Sequence, residues 1–218
     1  MKGRFFANLR SMFSTAIRKP LDGSSTLTRV RIWESGYFTG QGEFKKSNVG
    51  YAMLKTLTKR EGNIGHVSVE TKSFYASLWP EQLTIFNKYK IQAGESNQLS
   101  DDLHSEGRNP DHLLDFETLD LTGISKELEK FESASKYQLI GGNKVFHKDG
   151  AYNCSSFGYA LLLAGGLKKY LPGSYFIQDY LIVTPNNLAE ILIQAKKYED
   201  KYLLQQFEND SNKGMHSK

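Results

Sequence analysis

The sequence predicts an α+β domain in which a small antiparallel β-sheet packs against a helix that starts at a cysteine. Three observations lead there. Thr26 to Trp33, Ile64 to Glu70 and Ser73 to Trp79 are short alternating runs, the pattern of strands with one face turned inward. A largely apolar run follows Cys154, opened by Asn153 and stopped by Gly165-Gly166, which are the start and stop signals of a helix. The chain has 218 residues, 39% hydrophobic and 24% charged, enough for one sizeable core with extensions.

Taken in order, residues 1–22 form a basic amphipathic helix, with Lys2, Arg4, Arg10, Arg18 and Lys19 and an apolar stripe at Phe5, Leu9, Phe13 and Ile17. Such a stripe either packs on the domain, the commoner use, or lies on a membrane surface through residues 1–20. Its apolar residues are interleaved with charge, so a secretory signal peptide is not expected. The main domain spans 26–207. After its first strand comes a Gly-rich loop from Gly36 to Gly50, then a short helix from Tyr51 to Lys59. The hairpin of Ile64–Glu70 and Ser73–Trp79 turns at Thr71-Lys72 and ends at Pro80. Residues 91–115 are polar and read as an exposed loop. A strand at Phe116–Leu121 and a helix at Ser125–Glu132 follow, then the Cys154 helix and a strand at Tyr175–Val183. A final helix starts near Asn187, with Glu190 completing a capping box, and residues 208–218 form a disordered tail.

Composition excludes several function classes. Net charge is +4 and the basic residues are scattered, which is not a nucleic-acid footprint. No Gly-rich phosphate loop with its lysine is present. The five histidines are dispersed and only one cysteine exists, so neither metal-ligand spacing nor an internal disulfide is available. No metal and no cofactor is expected. Folding does not depend on an oxidising compartment, and no apolar run approaches the roughly 18 residues of a membrane span.

The chemistry-bearing residue is therefore Cys154. A lone cysteine is usually a small buried hydrophobe. At a helix N-terminus, however, the macrodipole favours thiolate, the nucleophilic form. His66 lies on the strand Gly65-His66-Val67-Ser68-Val69-Glu70, where Val67 and Val69 share the core face and His66, Ser68 and Glu70 the other. With a two-residue turn, 70 pairs with 73, 68 with 75 and 66 with 77, so Ser77 stands opposite His66 and can orient its ring. Glu70 is the other candidate, about 13 Å along the strand. Tyr75 and Trp79 either wall a substrate groove or pack in the core. The Cys154 backbone N–H can serve an oxyanion hole, and the Asn153 side chain is either its second donor or the helix cap.

These residues together resemble a known family. Gly65-His66-Val67-Ser68-Val69-Glu70, Tyr75-Ala76-Ser77-Leu78-Trp79-Pro80 and Tyr152-Asn153-Cys154-Ser155-Ser156-Phe157 look like the motifs of circularly permuted papain-like domains, the NlpC-related group with lecithin retinol acyltransferase-like and PPPDE-type enzymes. There the histidine strand precedes the cysteine helix, as here. The resemblance covers about residues 60–167. It implies Cys154 as nucleophile, His66 as base and Ser77 at the third polar position, where this chain has no carboxylate, asparagine or second histidine. It implies a cysteine hydrolase acting on a peptide or isopeptide, with a lipid acyltransferase or phospholipase, or a non-catalytic binding domain, as alternatives on the same scaffold. The Gly-His-Val-Ser and Ser-Leu-Trp-Pro pair also resembles a branch found among secreted effectors of intracellular bacteria, which implies translocation into a host cell by a non-Sec route.

Overall fold

The computed structural model describes residues 27–59, 61–80, 91–96, 98–134, 136–137, 151–173 and 183–215. The expected N-terminal helix over 1–22 and most of the strand at Tyr175–Val183 lie outside them. The architecture is α+β. Its main sheet is built from β1 (Thr28–Trp33), β5 (His66–Glu70), β6 (Tyr75–Pro80), β7 (Ile91–Ser96), β8 (His112–Phe116), β9 (Lys136–Tyr137) and β10 (Ala151–Tyr152), in the order β10-β9-β7-β6-β5-β1-β8. All neighbours are antiparallel except the β9–β10 pair. A second sheet of β2 (Gly36–Phe38), β3 (Phe44–Lys46) and β4 (Gly62–Asn63) carries α1 (Val49–Lys59) against β4. The stretch expected as a Gly-rich loop thus contains two short strands.

One face of the main sheet is apolar. Val30 pairs with Val69 and Ile32 with Val67, while Ala76 and Leu78 continue the layer on β6. Onto this face pack α4 (Cys154–Ala164) and α5 (Pro185–Met215), with α3 (Leu121–Ala134) packed against α4, through Ile124, Phe131, Phe157, Leu161, Leu162, Leu188 and Leu192. The alternation that made Val67 and Val69 the core face is what turns His66 and Ser68 to the other side. That side is also covered: His66 and Ser68 are each 1% exposed. Polar side chains occupy it because each finds a partner there.

The strand expected at Phe116–Leu121 lies earlier, as β8, which ends at Phe116. Three further elements differ from the sequence reading. The β5–β6 turn spans four residues, Thr71 to Phe74, closed by the Thr71 N–H donating to the Phe74 carbonyl (2.9 Å) and braced by Thr71 Oγ1, which accepts from the Ser73 N–H. Ser68 therefore pairs with Ser77 and Glu70 with Tyr75. Thr71-Lys72 lacks the left-handed chemistry of a two-residue turn, and a threonine hydroxyl stabilises the wider one. The slip is two residues, so every side chain keeps its face.

Second, the described residues within 91–115 hold β7, an eight-residue helix α2 (Leu99–Glu106) and most of β8. Third, α5 runs on through the polar stretch expected as a tail, to Met215, and its first turn is capped by Thr184, whose hydroxyl pairs with Asn187. The cap thus sits three residues earlier than the expected Asn187.

Candidate active site

Cys154 is the first residue of α4. Asn153, in extended conformation, caps the helix: its Oδ1 accepts from the Ser156 N–H (2.7 Å) and its own N–H donates to Ser156 Oγ (3.0 Å). Its Nδ2 donates to the Val183 carbonyl (3.0 Å), tying the start of α4 to the segment that leads into α5. Of the two uses foreseen for Asn153, these bonds build the cap. Asn153→Ala removes both side-chain bonds and is expected to cost about 2 kcal/mol, read as a lower unfolding midpoint in urea.

Helix α4 sits low on β5 because Gly158 faces Val67: a Cβ at Gly158 would lie 3.0 Å from Val67 Cγ1. That contact sets the height of the helix next to His66, the first residue of β5. Cys154 is 5% exposed, with Sγ 3.9 Å from Ser155 Oγ.

His66 is the hub. Its Nε2 lies 2.7 Å from Ser77 Oγ and 3.3 Å from Asp102 Oδ2. Trp79 stacks on the ring at 4.1 Å between centroids and 18° between planes, and Trp33 leans on it at 5.7 Å. Burial disfavours the imidazolium, but hydrogen bonds to Asp102 and Cys154, with the negative charge both groups can carry, outweigh it and push the His66 pKa up to about 10. The helix that starts at Cys154 packs on the strand that starts at His66, which brings these two residues, far apart in sequence, to the same part of the fold.

Ser77 meets His66, though diagonally rather than from the opposite strand position, because Ser68 is its register partner. Glu70 does not reach the ring; it forms an ion pair with Arg31 at 2.5 Å. Tyr75 and Trp79, considered as groove walls or core, are engaged at their polar ends. The Tyr75 hydroxyl lies 2.5 Å from Asp102 Oδ2 and 2.9 Å from Ser68 Oγ, and Trp79 Nε1 donates to Asp102 Oδ1 at 2.7 Å. Burial and the adjacent Asp102 charge push the Tyr75 phenol up, which keeps its proton in place.

Asp102, on α2, is the residue the sequence reading missed. It is 0% exposed. Burial alone would raise its pKa, but hydrogen bonds from His66, Tyr75 and Trp79, with the imidazolium charge, bring it below the usual carboxylate value. One helical turn on, Glu106 is 3% exposed and accepts from Asn63 Nδ2 at 2.8 Å; burial pushes its carboxyl up. The available signal was weak: Leu99 and Leu103 at helical spacing, ended by Gly107, cover only two turns, too short for a period to stand out.

The assembled parts are a thiol at a helix N-terminus, an imidazole on the strand against which that helix packs, and polar groups that fix the ring. They can form and cleave a thioester. Among the described residues no group of side chains has the arrangement of a metal site, and no helix is long and apolar enough to cross a membrane. Comparison with protein-family models, with curated proteins and with solved structures finds no match.

Proposed function

We propose that the protein is a cysteine hydrolase of permuted papain-like type that cleaves an amide, in a peptide or isopeptide, through a thioester acyl-enzyme. The single observation that carries this is the buried His66 ring, held by Ser77 Oγ at 2.7 Å and Asp102 Oδ2 at 3.3 Å on the strand against which the Cys154 helix packs. The chain order, histidine strand before cysteine helix, and the antiparallel sheet on which α4 packs support the permuted papain-like assignment.

In this reading the Cys154 thiolate attacks the scissile carbonyl carbon. The oxyanion forms beside the Cys154 backbone N–H, a first-turn donor with no acceptor within its own helix. His66, as imidazolium, passes its proton to the leaving amine as the C–N bond breaks, leaving the acyl group on sulfur. It then takes a proton from water, whose oxygen attacks the thioester. The carboxylic acid departs and the thiolate–imidazolium pair is restored.

The test is a set of peptide and isopeptide vinyl sulfones, read by intact mass, beside turnover of a peptide library. A single adduct on Cys154, absent in Cys154→Ser and His66→Gln, is the expected result. Turnover of phospholipid esters with no peptide cleavage moves the enzyme to the acyl-lipid class. No adduct with any electrophile and no turnover returns Cys154 to a structural role.

A further inference from the structure

We propose that Asp102 is the positioning anion of this site, acting on His66 along two paths, one direct and one through the Ser77 hydroxyl. The proposal rests on the reading of Cys154 and His66 as nucleophile and base. It answers the weakness seen in the sequence, where a neutral serine stands at the position that should orient the histidine.

The direction of one hydroxyl proton decides the arrangement. Ser77 Oγ lies 2.9 Å from Asp102 Oδ1 as a donor and 2.7 Å from His66 Nε2. A hydroxyl has one proton, and a carboxylate only accepts, so the Ser77 proton points to Asp102. Toward His66, Ser77 can then only accept, so Nε2 carries a hydrogen. The same N–H lies 3.3 Å from Asp102 Oδ2. With Nε2 engaged on this side, Nδ1 is the ring nitrogen left for other partners. With the carboxylate behind it, Ser77 makes a charge-assisted bond and passes the negative charge toward the ring.

The carboxylate cannot turn away. Its Oδ1 also accepts from Trp79 and its Oδ2 from Tyr75, so alternate residues of one strand, Tyr75, Ser77 and Trp79, present three donors to one buried anion. Trp79 stacks on the imidazole as well, so one side chain sets carboxylate and ring together. Helix α2 exists in this place for the same reason. Its fully buried residues are Asp102 and Glu106, not leucines. Glu106 also faces the ring from α2 and feels its charge, but its hydrogen bond goes to Asn63, so the orienting contact belongs to Asp102.

Because Cys154 is the single cysteine, iodoacetamide alkylation of the full chain reports on one sulfur. Asp102→Asn keeps the size of the side chain and removes its charge. Its alkylation rate at pH 6 is expected to fall at least about tenfold, because the imidazole that assists the sulfur loses the anion that positions it. The His66 titration, followed by NMR of histidine-labelled protein, is expected to move to lower pH. Ser77→Ala should fall less, since the direct contact remains.

A folded Asp102→Asn protein with the wild-type rate profile and the wild-type His66 titration overturns the proposal. Should Asp102→Asn not fold, Ser77→Ala decides: a slower reaction with a shifted His66 titration supports the two-path arrangement, and wild-type behaviour removes it. His66→Gln separates the two levels. If it slows alkylation and Asp102→Asn does not, only the Asp102 assignment fails. If it too leaves the profile unchanged, the pairing of Cys154 with His66 fails first.

Discussion

His66→Gln is expected to lower the turnover of an amide substrate by about 10²- to 10⁴-fold, the usual worth of a positioned acid and base. Glutamine keeps a polar end near Ser77 but can neither hold a proton for the leaving amine nor take one from water. The same variant has a signature in stability that needs no substrate. In the folded chain the His66 pKa stands at about 10, against the ordinary 6.5. A group raised on folding contributes stability that is fully present below its unfolded value and is lost as pH rises through its folded value. Wild-type stability from this residue is therefore complete below about pH 6.5 and declines toward pH 10. The decline amounts to a few kcal/mol at most, since each tenfold gain in proton affinity on folding is worth about 1.4 kcal/mol. Urea unfolding across that window should show the decline in wild type and a flatter profile in His66→Gln. An equal decline in both proteins would remove His66 as its source. Asp102, lowered on folding, acts at the other end: its contribution is present above about pH 4 and lost as pH falls below.

Gly65→Ala is expected to have a large effect on the fold next to the site. Gly65 has φ +77, a left-handed conformation that costs an alanine about 1–2 kcal/mol. A Cβ there would also lie 2.4 Å from the Trp33 carbonyl oxygen and 2.9 Å from the Glu34 carbonyl carbon, both backbone atoms of the neighbouring strand and its exit. Neither can swing away as a side chain would. Together these predict a loss of about 3 kcal/mol or more and a thermal midpoint lower by roughly 6–12 °C. The turn also aims the strand that carries His66. Asn63 Oδ1 accepts from the Gly65 N–H at 2.7 Å, and His66 follows directly. A folded Gly65→Ala protein should therefore alkylate Cys154 more slowly at pH 6. Wild-type stability and wild-type alkylation together would show that the turn relaxes without moving His66.

Much of this arrangement was legible in the linear chain, for reasons of local geometry. The strand period assigned His66 away from Val67 and Val69, and the structure keeps that facing because both valines pair into the apolar layer. The helix beginning at Cys154 was legible because Asn153 and Ser156 satisfy first-turn donors within four residues. Ser77 was placed near His66 by a pairing that proved two residues off. It survived because a two-residue slip preserves the face, and the diagonal neighbour is still within reach of the ring.

Asp102 was not legible. Its two turns of helix are too short to announce a period, and its neighbours are polar, which reads as loop. Burial of a carboxylate is decided by donors that arrive from elsewhere in the chain, here Tyr75, Ser77 and Trp79 on β6. The turn at Thr71–Phe74 shows the same limit, because its width is chosen by one threonine hydroxyl rather than by the alternation on either side.

By itself, then, the sequence determined what neighbouring residues decide: an α+β chain, a cysteine at the mouth of a helix, and a histidine on the polar face of a strand. Only the tertiary structure decided which carboxylate stands behind that histidine. Strand alternation and helix capping act over a few residues, so pattern reveals them. The Asp102 contact joins a helix to a strand more than 20 residues earlier, a long-range pairing that only the packed sheet makes favourable.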